Sequence, residues 1–211
     1  AGCRANLASV RAESGGDAEA EYAAAEAECD AALALLPNEP AGWSLRGRVR
    51  LNWAALSAAR GGAGVAVDRY RQAIDDLDEA VRLAPNAADL WTVRGVAKAN
   101  LHEARPAGSP IDEPLAASAL ADLDNALRLR PDHPEALLHR AMHRRNLAAA
   151  RVRAGRDPGE HLEAARADVE RAVARNPEAP EVRLERGLLA AARAAALDAQ
   201  GGAAEGEFAA A

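Results

Sequence analysis

Aromatic side chains are nearly absent from this chain: one Phe, two Tyr and three Trp make up 3% of its 211 residues. So few large rings do not fill one broad core, although 49% of the residues are hydrophobic when alanine is counted. Narrow seams between helices fit this composition better. Cysteine is as scarce, with only Cys3 and Cys29, and nothing about the pair indicates an oxidising compartment. No charge-free apolar run reaches the roughly 18 residues of a membrane span. A net charge of −6 and a pI near 5.5 argue against a general nucleic-acid binder. No serine, cysteine or lysine stands in a recognisable nucleophile motif, so no catalytic residue and no cofactor is assigned.

What the chain does have is a unit repeated four times, with copies ending near Pro37, Pro85, Pro131 and Pro177, at intervals of 48, 46 and 46 residues. A fixed period of this size means stacked supersecondary units. Before the prolines, small and apolar residues recur in steps of three and four. These are Tyr22, Ala25, Cys29 and Ala32, then Tyr70, Ala73, Leu77 and Ala80, then Ala119, Leu123 and Ala126, then Leu162, Ala165, Val169 and Ala172. That spacing predicts a helix with one apolar face, stopped by the proline. A preceding helix is predicted to start at Pro40, Pro134 and Pro180, where a proline N–H is not needed. The fourth start, Asn86-Ala-Ala-Asp89, offers a side-chain cap instead.

Six residues past each helix-ending proline stands Trp43, Trp91, Leu137 or Arg183, followed by Arg46-Gly47, Arg94-Gly95, Arg140-Ala141 and Arg186-Gly187. Glycine is unfavourable inside a helix, so its return at one register predicts close contact with the partner helix. Each unit is therefore an antiparallel helix pair.

Trp, then Gly four residues on, then Ala, Leu, Ala and Pro in the second helix resembles the tetratricopeptide repeat. Trp91, Gly95, Ala119, Leu123, Ala126 and Pro131 match it most fully. The resemblance covers essentially the whole chain, residues 1–211, and implies a right-handed all-α solenoid of helix hairpins. That family's unit has about 34 residues, whereas this one has 46 to 48. The extra residues fall at Gly15-Gly16, Gly61 to Gly64, Pro106 to Pro114, Gly155 to Pro158 and Gly201-Gly202. They predict helices of about 20 residues, with a fully disordered insert as the alternative. Ser109-Pro110 and Asp157-Pro158 look like starts of the second helix.

Long units with Gly-x-Asp-Pro in the turn and Arg-Gly in the first helix also resemble arrays attached to bacterial serine/threonine protein kinases. No kinase motif occurs in the chain itself. The registers of Asn6 and Phe208 place Ala1 and Ala211 inside helices, which predicts an array truncated within a repeat at both ends and apolar faces open to self-association.

Charged residues recur as well. The acids Glu28/Asp30, Asp76/Asp78, Asp122/Asp124 and Asp168/Glu170 flank the apolar slot of each second helix, and Arg46, Arg94, Arg140 and Arg186 lie on first helices. Four equivalent copies predict a structural ladder of Arg–carboxylate pairs rather than one reactive centre. His139 and His143, four residues apart, have a metal-ligand spacing. Arg140, Arg144 and Arg145 beside them oppose a dication, so no metal site is assigned.

In the family resembled, first helices line a concave groove. That implies a groove drawn from Ser44, Arg48, Asn52, Thr92, Asn100, His139, Arg145 and Asn146. The recurring asparagines either bind a peptide backbone or bond to the next hairpin. The function expected is a non-catalytic cytoplasmic scaffold for a protein or peptide partner, with no nucleic acid and no membrane. The alternative is a regulatory or substrate-recruiting segment of a multidomain kinase.

Overall fold

A computed structural model describes residues 18–106 and 109–199. Cys3, Asn6, Gly15, Gly16, Gly201, Gly202 and Phe208 lie outside them. The described residues hold eight helices and no strand: α1 Glu19–Leu35, α2 Pro40–Ala59, α3 Ala63–Leu83, α4 Ala88–Glu103, α5 Glu113–Leu129, α6 Pro134–Arg153, α7 Gly159–Arg175 and α8 Pro180–Ala199. By compactness the chain divides into residues 1–122 and 123–211, with the boundary inside α5. In the first unit α1 packs on α2, α2 on α3 and α3 on α4, while α2 also touches α4. In the second, α6 packs on α7, α7 on α8, and α6 on α8.

Alanine sets how close these helices come. Ala25, Ala73, Ala119 and Ala165 are fully buried, and the slot four residues later holds buried Cys29, Leu77, Leu123 or Val169. A small residue below and a larger apolar one above let one helix seat against its neighbours. Three seams result. Tyr22, Ala25 and Cys29 meet Val49 and Trp53; Tyr70, Ala73 and Leu77 meet Leu51, Ala54, Val93 and Ala97; Leu162, Ala165 and Val169 meet Ala141, Ala148, Leu189 and Ala196. Each large side chain so buried contributes roughly 1.5–3 kcal/mol.

Gly47 shows why the Arg-Gly position needs a hydrogen for a side chain. A Cβ there would stand 2.9 Å from Leu77 Cγ and 3.3 Å from the Ala73 carbonyl. Gly187 differs, since a Cβ built on it meets nothing within 4 Å. The expectation of close contact therefore holds at Gly47, while no described residue covers Gly187.

The extra length of the unit goes mainly into helix: α2, α6 and α8 have 20 residues and α3 has 21. Two hairpins share one turn. Gly61 (φ 82°) and Gly155 (φ 66°) take the left-handed conformation, and the next residue's N–H reaches back to Ser57 O at 2.9 Å or Arg151 O at 2.8 Å. This is the Schellman closure, in which glycine avoids a Cβ clash. Between α4 and α5 the described residues, 104–106 and 109–112, are not helical. Ser109-Pro110 does not begin α5; the helix starts at Glu113, where Asp112 Oδ1 accepts from the Leu115 N–H at 3.1 Å. A carboxylate three residues beyond Ser109 takes the capping role. Likewise Asn86 does not cap α4, whose N-cap is Ala87 with no side-chain bond. At α7 the start falls one residue later than expected: Pro158 is the N-cap and Gly159 the first helical residue, while Asp157 Oδ1, one residue before the cap, accepts from the Gly159 N–H at 3.0 Å.

Candidate functional site

The repeated proline leaves a carbonyl that needs a donor, because the helix it follows has ended. Trp43 Nε1 donates to the Pro37 carbonyl and Trp91 Nε1 to the Pro85 carbonyl, each at 2.7 Å. Arg183, at the same register, donates through Nε to the Pro177 carbonyl at 3.1 Å. Leu137 has no N–H to give, and the Pro131 carbonyl is reached instead by Arg171 from α7. At three of the four prolines the residue six positions on is thus a donor first and an aromatic second. Arg46 and Arg94 stack over Trp43 and Trp91, with the guanidinium carbon 4.9 and 4.7 Å from the ring centres.

From those rings the arginines reach the ladder. Arg46 bonds Asp30 on α1 at 2.6 Å and Asp76 on α3 at 2.6 Å. Arg94 spans Asp78 at 2.7 Å and Asp122 at 2.6 Å, and Arg140 spans Asp124 at 2.5 Å and Asp168. In every rung the acid on the following helix is buried: Asp76 and Asp168 are 2% exposed and Asp122 is 3%. Each buried acid takes a second cation four residues along the first helix. Arg50 reaches Asp76 at 2.8 Å, Lys98 reaches Asp122 at 2.8 Å and Arg144 reaches Asp168 at 2.7 Å. Sequence reasoning missed that second cation. Its signal is the recurrence of Arg or Lys at positions 50, 98 and 144, one turn beyond the first.

Electrostatics follow from this geometry. Hydrogen bonding to Asp76 drives the Arg46 pKa further above its ordinary value, against the pull of burial. Burial opposes the charge on Arg94 and Arg140 too, but bonds to Asp122 and Asp168 outweigh it and both shift up. Arg144 shifts down, through burial first and repulsion from Arg140 second. All four remain guanidinium ions at any ordinary pH. The described residues hold three rungs. Among the described residues Arg186 has no carboxylate, and Glu170 pairs instead with Arg166 at 2.7 Å.

The groove candidates fall into different places. Arg48 and Asn52 are exposed, and Ser44 is half-buried one turn before them on α2. Asn100, His139, Arg145 and Asn146 are half-buried. Thr92 is buried, its hydroxyl donating to the Ala88 carbonyl at 3.0 Å, and so has no surface to offer. Arg145 is engaged by Glu185, a buried acid on α8, at 2.7 Å. Burial lowers the His139 pKa, with repulsion from His133 adding to it and Glu135 opposing.

His143 is buried one turn from His139. Among the described residues no cluster of three or more His, Cys, Asp or Glu side chains could hold a metal ion. Cys29 is a free, buried thiol whose pKa burial raises. No helix among the described residues is long and apolar enough to cross a membrane. No protein-family model and no curated protein matches the chain.

Proposed function

We propose that this chain is a non-catalytic protein-interaction scaffold of the tetratricopeptide type. In this reading its long hairpins stack with a right-handed turn, and a peptide or protein partner lies along the first helices. One observation carries it. On α2 the row Ser44, Arg48 and Asn52, in four-residue steps, makes no side-chain hydrogen bond or ion pair among the described residues. The adjacent Arg46 and Arg50 are fully committed to Asp76, Asp30 and Glu26. The helix thus separates charges spent on the fold from donors turned outward. An amide and a guanidinium one turn apart suit a peptide carbonyl and a carboxylate.

Selection of a random peptide display library on the immobilised chain tests this. Enriched peptides are expected to bind Asn52→Ala and Arg48→Ala at least about tenfold more weakly. Exposed Arg153→Ala is expected to leave binding unchanged. Peptides indifferent to both α2 substitutions would refute the assignment.

A further inference from the structure

Among the chain's 26 Lys and Arg residues only one is a lysine, and it stands inside a rung. The side chain of Lys98, on α4, is 13% exposed, and its Nζ bonds Asp122 Oδ2 at 2.8 Å. The same Nζ donates to Ser118 Oγ at 3.0 Å. Arg50 and Arg144 hold this register in the other two rungs. There the guanidinium reaches a backbone carbonyl instead, Gln72 O at 3.5 Å or Ala164 O at 3.3 Å. Residues 72, 118 and 164 each stand four before the buried aspartate. Of the three rungs, the middle one answers its second cation with a hydroxyl.

That exchange changes the chemistry the rung permits. A guanidinium keeps its proton at any ordinary pH and has no free lone pair to attack with. A primary amine can shed a proton and attack an activated carbonyl. In the rung, however, Lys98 Nζ is an ammonium turned to Asp122 and Ser118. It must leave both before it reacts, so its reactivity measures how often the rung is open.

We propose that Lys98 is a modification site at which an acyl phosphate traps the middle rung open. Attack by the freed amine forms an amide C–N bond and breaks the acyl C–O bond. Inorganic phosphate leaves. Of the two protons the ammonium gives up, one passes to solvent and one to the departing phosphate. The product is neutral, so Asp122 keeps Arg94 but loses its second cation. A buried carboxylate short of a partner is costly. The acyl group also needs room where the ammonium sat against Ser118, so the modified side chain cannot rebuild the rung. Every other member of the basic set is arginine, which leaves the first and third rungs outside this reaction.

Acetyl phosphate is the probe, added to the 211-residue chain in mildly alkaline buffer with a blocked lysine tripeptide as internal standard. Peptide mass mapping follows the acetyl group on Lys98. In the folded chain Lys98 is expected to react at least about tenfold more slowly than the standard. Ser118→Ala removes one of its two anchors and is expected to speed the reaction about two- to tenfold. The acetylated chain is expected to unfold at a lower urea midpoint, as Lys98→Gln does without treatment. Lys98→Arg, which copies Arg50 and Arg144, should keep the parent midpoint before and after treatment, and so controls for acetylation elsewhere. Reaction at the standard's rate, no reaction of the folded chain, or a rate indifferent to Ser118→Ala would overturn the proposal. So would an acetylated chain that keeps the parent midpoint.

Discussion

Every tryptophan and tyrosine of the chain lies in residues 18–122, and residues 123–199 contain no aromatic residue. Even so, both stretches form the same hairpin and satisfy the same proline carbonyl. In the first, an indole donates at Pro37 and Pro85 while its ring carries Arg46 or Arg94. In the second, guanidinium groups of Arg171 and Arg183 donate at Pro131 and Pro177. The aromatic residue is therefore one solution to a fixed requirement, a donor at the end of a helix. The buried aspartate shows no such variety. Asp76 and Asp122 in the first unit and Asp168 in the second each hold two cations.

The comparison makes the ladder the common element, and removing its centre should have the largest effect. Asp76→Asn and Asp168→Asn leave two cations facing a buried amide. Each is expected to cost about 3–5 kcal/mol in urea unfolding, with similar losses in the two units. A large loss in one and a negligible loss in the other would break the equivalence.

The two glycines give the next contrast. Gly47→Ala drives a Cβ into Leu77 and the Ala73 carbonyl, and is expected to destabilise by about 1–3 kcal/mol. Gly187→Ala has open space and should stabilise α8 by up to about 1 kcal/mol through helix propensity. Thermal melts of the two variants should move in opposite directions.

Smaller effects belong to the proline donors. Trp91→Leu, which imitates Leu137, loses an indole hydrogen bond and a cation–π contact and is expected to cost about 1–2 kcal/mol. Arg183→Leu, on an exposed side chain, should cost less than about 1 kcal/mol. Equal losses at the two sites would mean that the ring contributes nothing beyond its N–H.

The smallest effect is a pH slope confined to the second unit. Burial lowers the His139 pKa below its ordinary value of 6.5. Its contribution to stability is therefore fully present above that value and is lost as pH falls through the lower, folded pKa. Urea midpoints for the parent chain should drop on acidification below about pH 6.5, and His139→Gln should flatten that drop. An unchanged slope would remove His139 as its source.

Much of this architecture was legible before any coordinates. The steps of three and four leading to each proline located the buried face of α1, α3, α5 and α7, because small residues at fixed spacing leave little choice of packing. The arginine register located three rungs of the ladder. What the sequence hid was which acid of each pair is buried, since Asp76 and Asp78 differ only by a 200° turn about one helix. Thr92 was misplaced for a similar reason. It shares a register with half-buried Ser44, but it is buried and its hydroxyl turns back to the Ala88 carbonyl. Asp112 was overlooked as a cap because Ser109-Pro110 carries the stronger local signal, while the irregular stretch between α4 and α5 runs three residues further. Gly187 resembles Gly47 in sequence, but no described residue covers it as Leu77 covers Gly47.

The central claim is that a recurrent, partly buried Arg–Asp rung holds these hairpins together, whereas an exposed arginine such as Arg153 does not. Urea unfolding of Arg94→Leu beside Arg153→Leu tests it most directly, because the first leaves Asp122 short of one of its two cations and the second removes an exposed charge. The account predicts a loss of about 2–4 kcal/mol for Arg94→Leu and a change within about 0.5 kcal/mol for Arg153→Leu. Equal small changes in the two variants would contradict it.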